Sequence, residues 1–392
     1  MRRVAVVLTL AIPSALGAQD APVPPQSERA EPSVSRSQAD HYAKDYGVTV
    51  EEAERRFGVI REASLLADTL RSTDPDTFAG TEIVHSPEFA VKVKFSKNAA
   101  EKLAALGLSK EFRAEVAEEN EKVVAARQQA IARALSSSGV RYHSARRPDG
   151  TIDIMTEGAD TPKVAGLLRA AGIDSRRTQS RTVERIPVKG VDKGQAAIRG
   201  GDVMYNNGVC TAGFTVYRAS SPSTRYKLTA GHCEERLYGP GGILLPFVEQ
   251  RTGVYTKFDV QWHSKGTFDT LTNVVRNGQN ADLAITSVYP ASVFQAGEYL
   301  CKYGWATYKT CGKIISTNYD FQGDGGQFVQ VSAENGVNLS EGGDSGAPWF
   351  SEYWKEAWGL HVDDARYPNT NDAIFMPIRN IEELGLRVLT SP

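Results

Sequence analysis

The rhythm of apolar and polar positions changes near residue 188. Before it, Val48, Val50, Ala53, Phe57, Ile60, Ala63 and Leu66 recur at helical spacing, and Thr49 with Glu52 three residues on makes a start signal, so a helix is predicted from Asp45 to about Leu70. FAVKVKF, 89 to 95, alternates as a half-buried strand does. The Ala- and Glu-rich stretch 99 to 137 predicts one short helix and one long one. VRYHS and TIDIM flank the turn RPDG and predict a hairpin, and TPKVAGLLRAAGI predicts a helix stopped by Gly172. Residues 41 to 188 therefore form a small α/β region with no evident site.

Beyond the connector VKGVDKGQAAIRGG, short strand-like runs follow one another: GFTVYRA, RYKLTA, GGILLPFV, GVYTKFDVQWH, ADLAITSV, GKIISTNY and QFVQVSAE. Their spacing is that of an all-β barrel or sandwich. A helical run, NIEELGLRVL, comes only at the end. No solenoid-type repeat is present.

At the other end, MRRVAVVLTLAIPSALGAQD has two arginines, an apolar run from Val4 to Pro13 and then small residues, the layout of a secretory signal cut near Gly17 or Ala18. The run is short of the ~20 residues that span a bilayer. Residues 19 to 40, rich in Pro, Ser and charge, read as a disordered leader.

A chain of 392 residues with a formal net charge of −2 shows no basic signature of a nucleic-acid binder. From residue 195 there are 16 Lys or Arg against 20 Asp or Glu, and before it 29 against 27, so the two halves attract weakly. The four cysteines, Cys210, Cys233, Cys301 and Cys311, all lie in the second half and include no CxxC pair of the zinc-binding kind. Three pairings are open to them. Pairing Cys210 with Cys233 and Cys301 with Cys311 closes two short loops, each worth roughly 3 kcal/mol, and implies an oxidising compartment.

Three segments carry candidate chemistry. LSEGGDSGAPWF, 339 to 350, places Ser345 among glycines, which suits either a surface turn or a nucleophile whose turn aims backbone amides at an oxyanion. KLTAGHCEE sets His232 at the end of an apolar run and beside a cysteine, and NADLAITS sets Asp282 at the edge of another. The six histidines, at 41, 85, 143, 232, 263 and 361, form no HExxH or similar ligand spacing, so no metal and no cofactor is expected. Acidic loops at 319 to 326 and 363 to 372 match no EF-hand.

Taken in order, CTAGF, LTAGHC, ADLAI, CKYGWATYKTCGKI and GGDSGAP resemble the chymotrypsin-like serine proteases, in particular the secreted bacterial branch of alpha-lytic protease and the streptogrisins. The resemblance covers about residues 196 to 392. It implies an all-β, trypsin-like catalytic domain of two antiparallel six-stranded β-barrels, residues 195 to 392, behind a smaller α/β pro-domain, 41 to 194, that assists folding and then inhibits. On this resemblance Ser345 is the nucleophile, His232 the base and Asp282 the acid that orients it, with the N–H groups of Gly343 and Ser345 as oxyanion hole. Lys302, directly after Cys301, would pair internally with Asp344. His361, Ser340, Val362 and Asp364 would line the substrate pocket. His361 favours an acidic side chain before the cut, while Asp363 and Asp364 oppose one. The mature N-terminus would fall between Val188 and Gly200. The product would be a secreted monomeric endopeptidase acting on proteins or peptides and bound by its own pro-region, with no nucleic-acid or membrane partner.

The chain departs from the family at Ala347, where a second glycine is usual, and in having no cysteines for a third disulfide near the pocket. An inactive homologue that binds peptides or glycans in the same cleft is the alternative, and it would be expected to lack a triad member.

Overall fold

The computed structural model describes residues 37–182 and 197–390, apart from 137, 139, 141, 157–160, 174–177, 254–255, 322–326 and 365–370. The secretory signal, nearly all of the leader and most of the connector where maturation is expected lie outside the described residues. So does most of each acidic loop.

Two helices open the described chain. Gln38–Tyr46 starts at a capping box, in which Ser37 accepts from the Asp40 amide and the Asp40 carboxylate reaches back, and it stops at Gly47 with φ 64°. Val50–Thr73 begins at Thr49, whose hydroxyl accepts from the Glu52 amide at 3.2 Å. The predicted single helix from Asp45 is thus two helices broken at the glycine. The longer one buries Ala53, Phe57, Ile60, Ala63, Ala67 and Leu70.

A three-stranded sheet follows, with Phe78–Val84 antiparallel to Ala90–Phe95 and Phe112–Val116 parallel to it. The last strand lies inside the stretch predicted to be helical. FRAEV buries only its phenylalanine, so it carries no alternation to read, and pairing with Ala90–Phe95 overrides its local preference. Helices Glu121–Ser136 and Thr161–Ala170 pack with the hairpin Tyr142–Arg146 and Ile152–Thr156 around Val124, Ile131, Leu135, Ile152, Ile154 and Leu168.

The second half is all-β. Strands Tyr299–Gly304, Pro348–Ser351, Glu356–Asp364, Ala373–Pro377, Phe328–Ser332 and Tyr308–Phe321 pair in that order, and the last pairs back with the first, which closes a six-stranded barrel. Its interior holds Leu300, Ile314, Trp349, Trp358 and Phe375. The other unit is built from a five-stranded sheet, Phe247–Arg251, Val260–Ser264, Ser221–Thr229, Thr215–Arg218 and Leu386–Val388, a four-stranded sheet and the hairpin Val274–Gly278 with Ala281–Ala284. Ile198, Met204, Leu237, Leu245 and Phe268 fill it. The predicted terminal helix is a short 3-10 turn, Ile378–Leu384, because Gly385 at φ 70° ends it and Leu386–Val388 joins the sheet.

The N-terminal region grips the closed barrel. Tyr142–Arg146 adds to the edge of Tyr308–Phe321, and the Ile83 amide donates to the Ala296 carbonyl at 2.8 Å. Arg61 pairs with Glu356, Ser64 donates to Glu298, and the Tyr299 hydroxyl donates to Asp45 at 2.6 Å. No described helix is long and apolar enough to cross a membrane.

Candidate active site

The strand Ser221–Thr229 delivers Ala230, Gly231 and His232 to its end. Gly231 has no room for a side chain, since a Cβ there would lie 2.6 Å from the Val260 amide, 2.8 Å from Thr252 Cβ and 2.9 Å from the Arg251 carbonyl. The glycine lets the strand end press against the loop between Phe247–Arg251 and Val260–Ser264. Cys233, next in sequence, is bonded to Cys210, and Cys301 to Cys311, so both short-range pairings are formed.

The loop presents Asp259. Its Oδ2 is 2.7 Å from His232 Nδ1, and its Oδ1 accepts from the His232 amide at 2.9 Å and from the Thr252 hydroxyl at 2.8 Å. Its side chain is 8% exposed. On the other side of the ring, Nε2 is 2.9 Å from Ser345 Oγ. With the Nδ1 proton donated to the carboxylate, Nε2 is left to accept from the serine hydroxyl.

This corrects the expectation for Asp282. Its side chain is 46% exposed and accepts from Arg199 at 2.9 Å, so it points to solvent from the hairpin strand Ala281–Ala284. The family-like segment ADLAI drew attention to the wrong carboxylate. Asp259 was hidden inside GVYTKFDVQWH, which reads as one long strand, although among its described residues only those of Val260–Ser264 are in a strand. The available signal was a lone acid at the start of a run that is apolar enough to be buried.

The turn around Ser345 is pinned from both sides. Thr211 donates its amide to the Ser345 carbonyl and its hydroxyl to the Gly343 carbonyl, each at 2.7 Å. The Gly346 amide donates to the His361 carbonyl and the Ala347 amide to the Asp344 carbonyl, each at 2.8 Å. Gly343 and Gly346 hold φ of 109° and 90°, a region that favours glycine. The amides of Gly343 and Ser345 have no acceptor among the described residues, the condition for donors held ready for a ligand.

Beneath the turn, Asp344 and Lys302 are fully buried, with Nζ 2.9 Å from Oδ2. The carboxylate also accepts from the Thr307 hydroxyl at 2.5 Å and from the Ala306, Thr307 and Glu341 amides. Burial alone would raise its pKa, but the Lys302 charge, aided by His361 and Thr307, holds it below the ordinary value. Thr211 lies in CTAGF and Thr307 in CKYGWATYKTCGKI, segments read for their likeness rather than for these hydroxyls, and Thr252 lies in no motif.

Of the pocket residues, His361 is buried and its Nδ1 accepts from the Trp349 indole at 3.4 Å. Ser340 is buried with its hydroxyl unmatched among the described residues, and Val362 is buried. Asp364 ends the strand, and its side chain is outside the described part. Among the described residues no group of three or more His, Cys, Asp or Glu is placed to hold a metal ion.

No protein-family model matches the chain, and no curated protein matches it in sequence. Solved structures do. About half of the chain is similar to solved structures of serine proteases, among them an alpha-lytic protease homolog. Thermobifida fusca Protease A is 26% identical, with 50% of this chain covering 100% of that one at a TM-score of 0.39. A serine protease described as glutamic acid specific, with a histidine triad in substrate binding, is 22% identical, with 49% and 100% covered at 0.40. Nocardiopsis protease is 21% identical, with 49% and 98% covered at 0.38.

Proposed function

We propose that the chain is a secreted serine endopeptidase made as a self-processing precursor. The observation that carries this reading is His232 held between Asp259 Oδ2 at 2.7 Å and Ser345 Oγ at 2.9 Å. In the proposed mechanism Ser345 Oγ attacks the scissile carbonyl as its proton passes to His232 Nε2. Asp259 holds the imidazole tautomer and balances the imidazolium. The amides of Gly343 and Ser345 receive the oxyanion. His232 then gives its proton to the leaving amine, and water drawn by the same base frees the acyl group from Ser345.

Residues 41–194 are the pro-region in this reading. In support, this region contacts the closed barrel through an added strand, the Arg61–Glu356 ion pair and hydrogen bonds such as that from the Tyr299 hydroxyl to Asp45. The mature N-terminus falls between Val188 and Gly200 in this reading, just before AAIRGG, and the burial of Ile198 in the first β unit supports a cut ahead of it. The two disulfides suit an oxidising, extracellular setting. His361 favours an acidic side chain before the cut and Asp363 and Asp364 oppose one, and equal rates on otherwise identical Glu and Leu peptides would reject an acidic preference.

The test is expression of the chain without its signal beside Ser345→Ala, followed by mass spectrometry and a fluorophosphonate probe. Self-cleavage to roughly 200 residues with labelling at Ser345, both absent in the variant, supports the reading. A native chain that stays whole and unlabelled even after trace trypsin indicates a binding homologue instead.

A further inference from the structure

We propose that Thr252 is a positioning residue of the triad, clamping the Asp259 carboxylate in the plane that His232 requires. The inference rests on the protease reading and deepens it. A carboxylate that orients an imidazole presents one oxygen to the ring, and rotation about its terminal bond must be stopped through the other. Here Oδ2 meets Nδ1, while Oδ1 accepts from two donors, the His232 amide and the Thr252 hydroxyl. The amide belongs to the residue being oriented. Thr252 is therefore the independent anchor.

Thr252 is well placed for this. It directly follows the strand Phe247–Arg251, whereas Asp259 directly precedes Val260–Ser264, so the hydroxyl bridges both ends of one loop. Its Cβ also bears on Gly231, the residue before His232. A single side chain thus touches the acid and backs the strand end that carries the base. Because Thr252 is exposed, loss of its hydroxyl leaves no cavity in the core.

The experiment compares Thr252→Val and Thr252→Ser with the native chain after self-processing, on a peptide amide substrate. Valine should lower kcat about tenfold with KM little changed, the scale of one hydrogen bond to a charged group, and serine should restore it. The thermal midpoint should stay unchanged in both. In parallel, the far-downfield proton resonance of the His232 Nδ1 hydrogen bond is followed in full-length Ser345→Ala; adding Thr252→Val should broaden or shift it, and Thr252→Ser should recover it. Native kcat with an intact resonance in the valine variant overturns the proposal, as does a loss that tracks a lowered thermal midpoint. If the native chain neither cleaves nor labels, the protease reading has failed, and the resonance still decides whether Thr252 holds Asp259.

Discussion

At the scale of single residues, two aspartates divide what the sequence assigned to one. Asp259 is buried and bonded to His232 through both the ring and the main chain, whereas Asp282 is a half-exposed partner of Arg199. Asn at 259 keeps the shape but turns an acceptor into a donor facing Nδ1, so it should select the wrong tautomer and lower kcat by about 10³ to 10⁴. Asn at 282 breaks only a surface pair and should leave kcat unchanged, with stability altered by less than about 1 kcal/mol. Steady-state kinetics on both variants separate the assignments. His232 and Ser345 were legible because each sits in a short motif with glycine and cysteine or aspartate at fixed positions. The acid was not, because one Asp in a run of β-formers looks like any strand-edge charge, and its role is created by a loop that folds back over Gly231.

At the scale of elements, the turn at Ser345 depends on its glycines for different reasons. An added Cβ at Gly346 would meet Thr229 Oγ1 at 2.2 Å, the Thr211 carbonyl at 2.4 Å and the Ala230 amide at 2.8 Å, two of them backbone atoms. Gly346→Ala should therefore cost about 3 kcal/mol or more, through overpacking added to the backbone penalty. At Gly343 the nearest atom is Val209 Cγ1 at 3.5 Å, so space is available and only φ 109° resists a side chain. Gly343→Ala should cost about 1 to 3 kcal/mol while lowering kcat tenfold or more (~1.4 kcal/mol), because it re-aims an oxyanion donor. Denaturant midpoints alongside kcat resolve the two. The hairpin Tyr299–Gly304 with Tyr308–Phe321 supplies Lys302 to the same turn, and Lys302→Ala would leave Asp344 buried without its cation. Amide and hydroxyl donors still face that carboxylate, so a loss of about 3 kcal/mol is expected by the same denaturant measurement. The strand-like runs marked two of the closed barrel's six strands, Tyr308–Phe321 and Phe328–Ser332, and several strands of the first β unit, whereas short strands such as Pro348–Ser351 were not marked. FRAEV and the terminal 3-10 turn were not legible, since each is decided by a partner strand rather than by its own pattern.

For the whole molecule, the contact between the N-terminal region and the closed barrel places titratable groups in dry surroundings. His85 Nε2 lies 2.6 Å from the Gly297 carbonyl and Nδ1 2.6 Å from the Tyr42 hydroxyl, with Tyr46 stacked on the ring at 4.5 Å. Burial lowers its pKa to about 4, with Lys313 and Arg56 adding to the effect and Glu334 opposing it. His263, inside the first β unit, is lowered to about 4 by burial as well. Glu298, at the same contact as His85, is raised to about 7 by burial. Each buried histidine is neutral in the fold and takes up its proton more readily when unfolded, so its stabilisation is complete above about pH 6.5 and is lost as pH falls towards 4. Glu298 has the opposite sign: the folded chain gains its proton first, which stabilises the fold as pH falls from about 7 towards 4.5. Asp45, Glu356 and Asp372, whose carboxyls burial also raises, share the sign of Glu298 and oppose the two histidine losses. Replacing His85 with Gln keeps a donor for Gly297 and an acceptor for Tyr42 but removes one of the two losses. Urea unfolding of full-length Ser345→Ala with His85→Gln added should therefore lose less stability between pH 6.5 and 5 than the same series without it, by up to about 2 kcal/mol. Parallel slopes would mean that His85 is already charged in the fold, and that the grip of the N-terminal region on the barrel does not depend on a neutral imidazole.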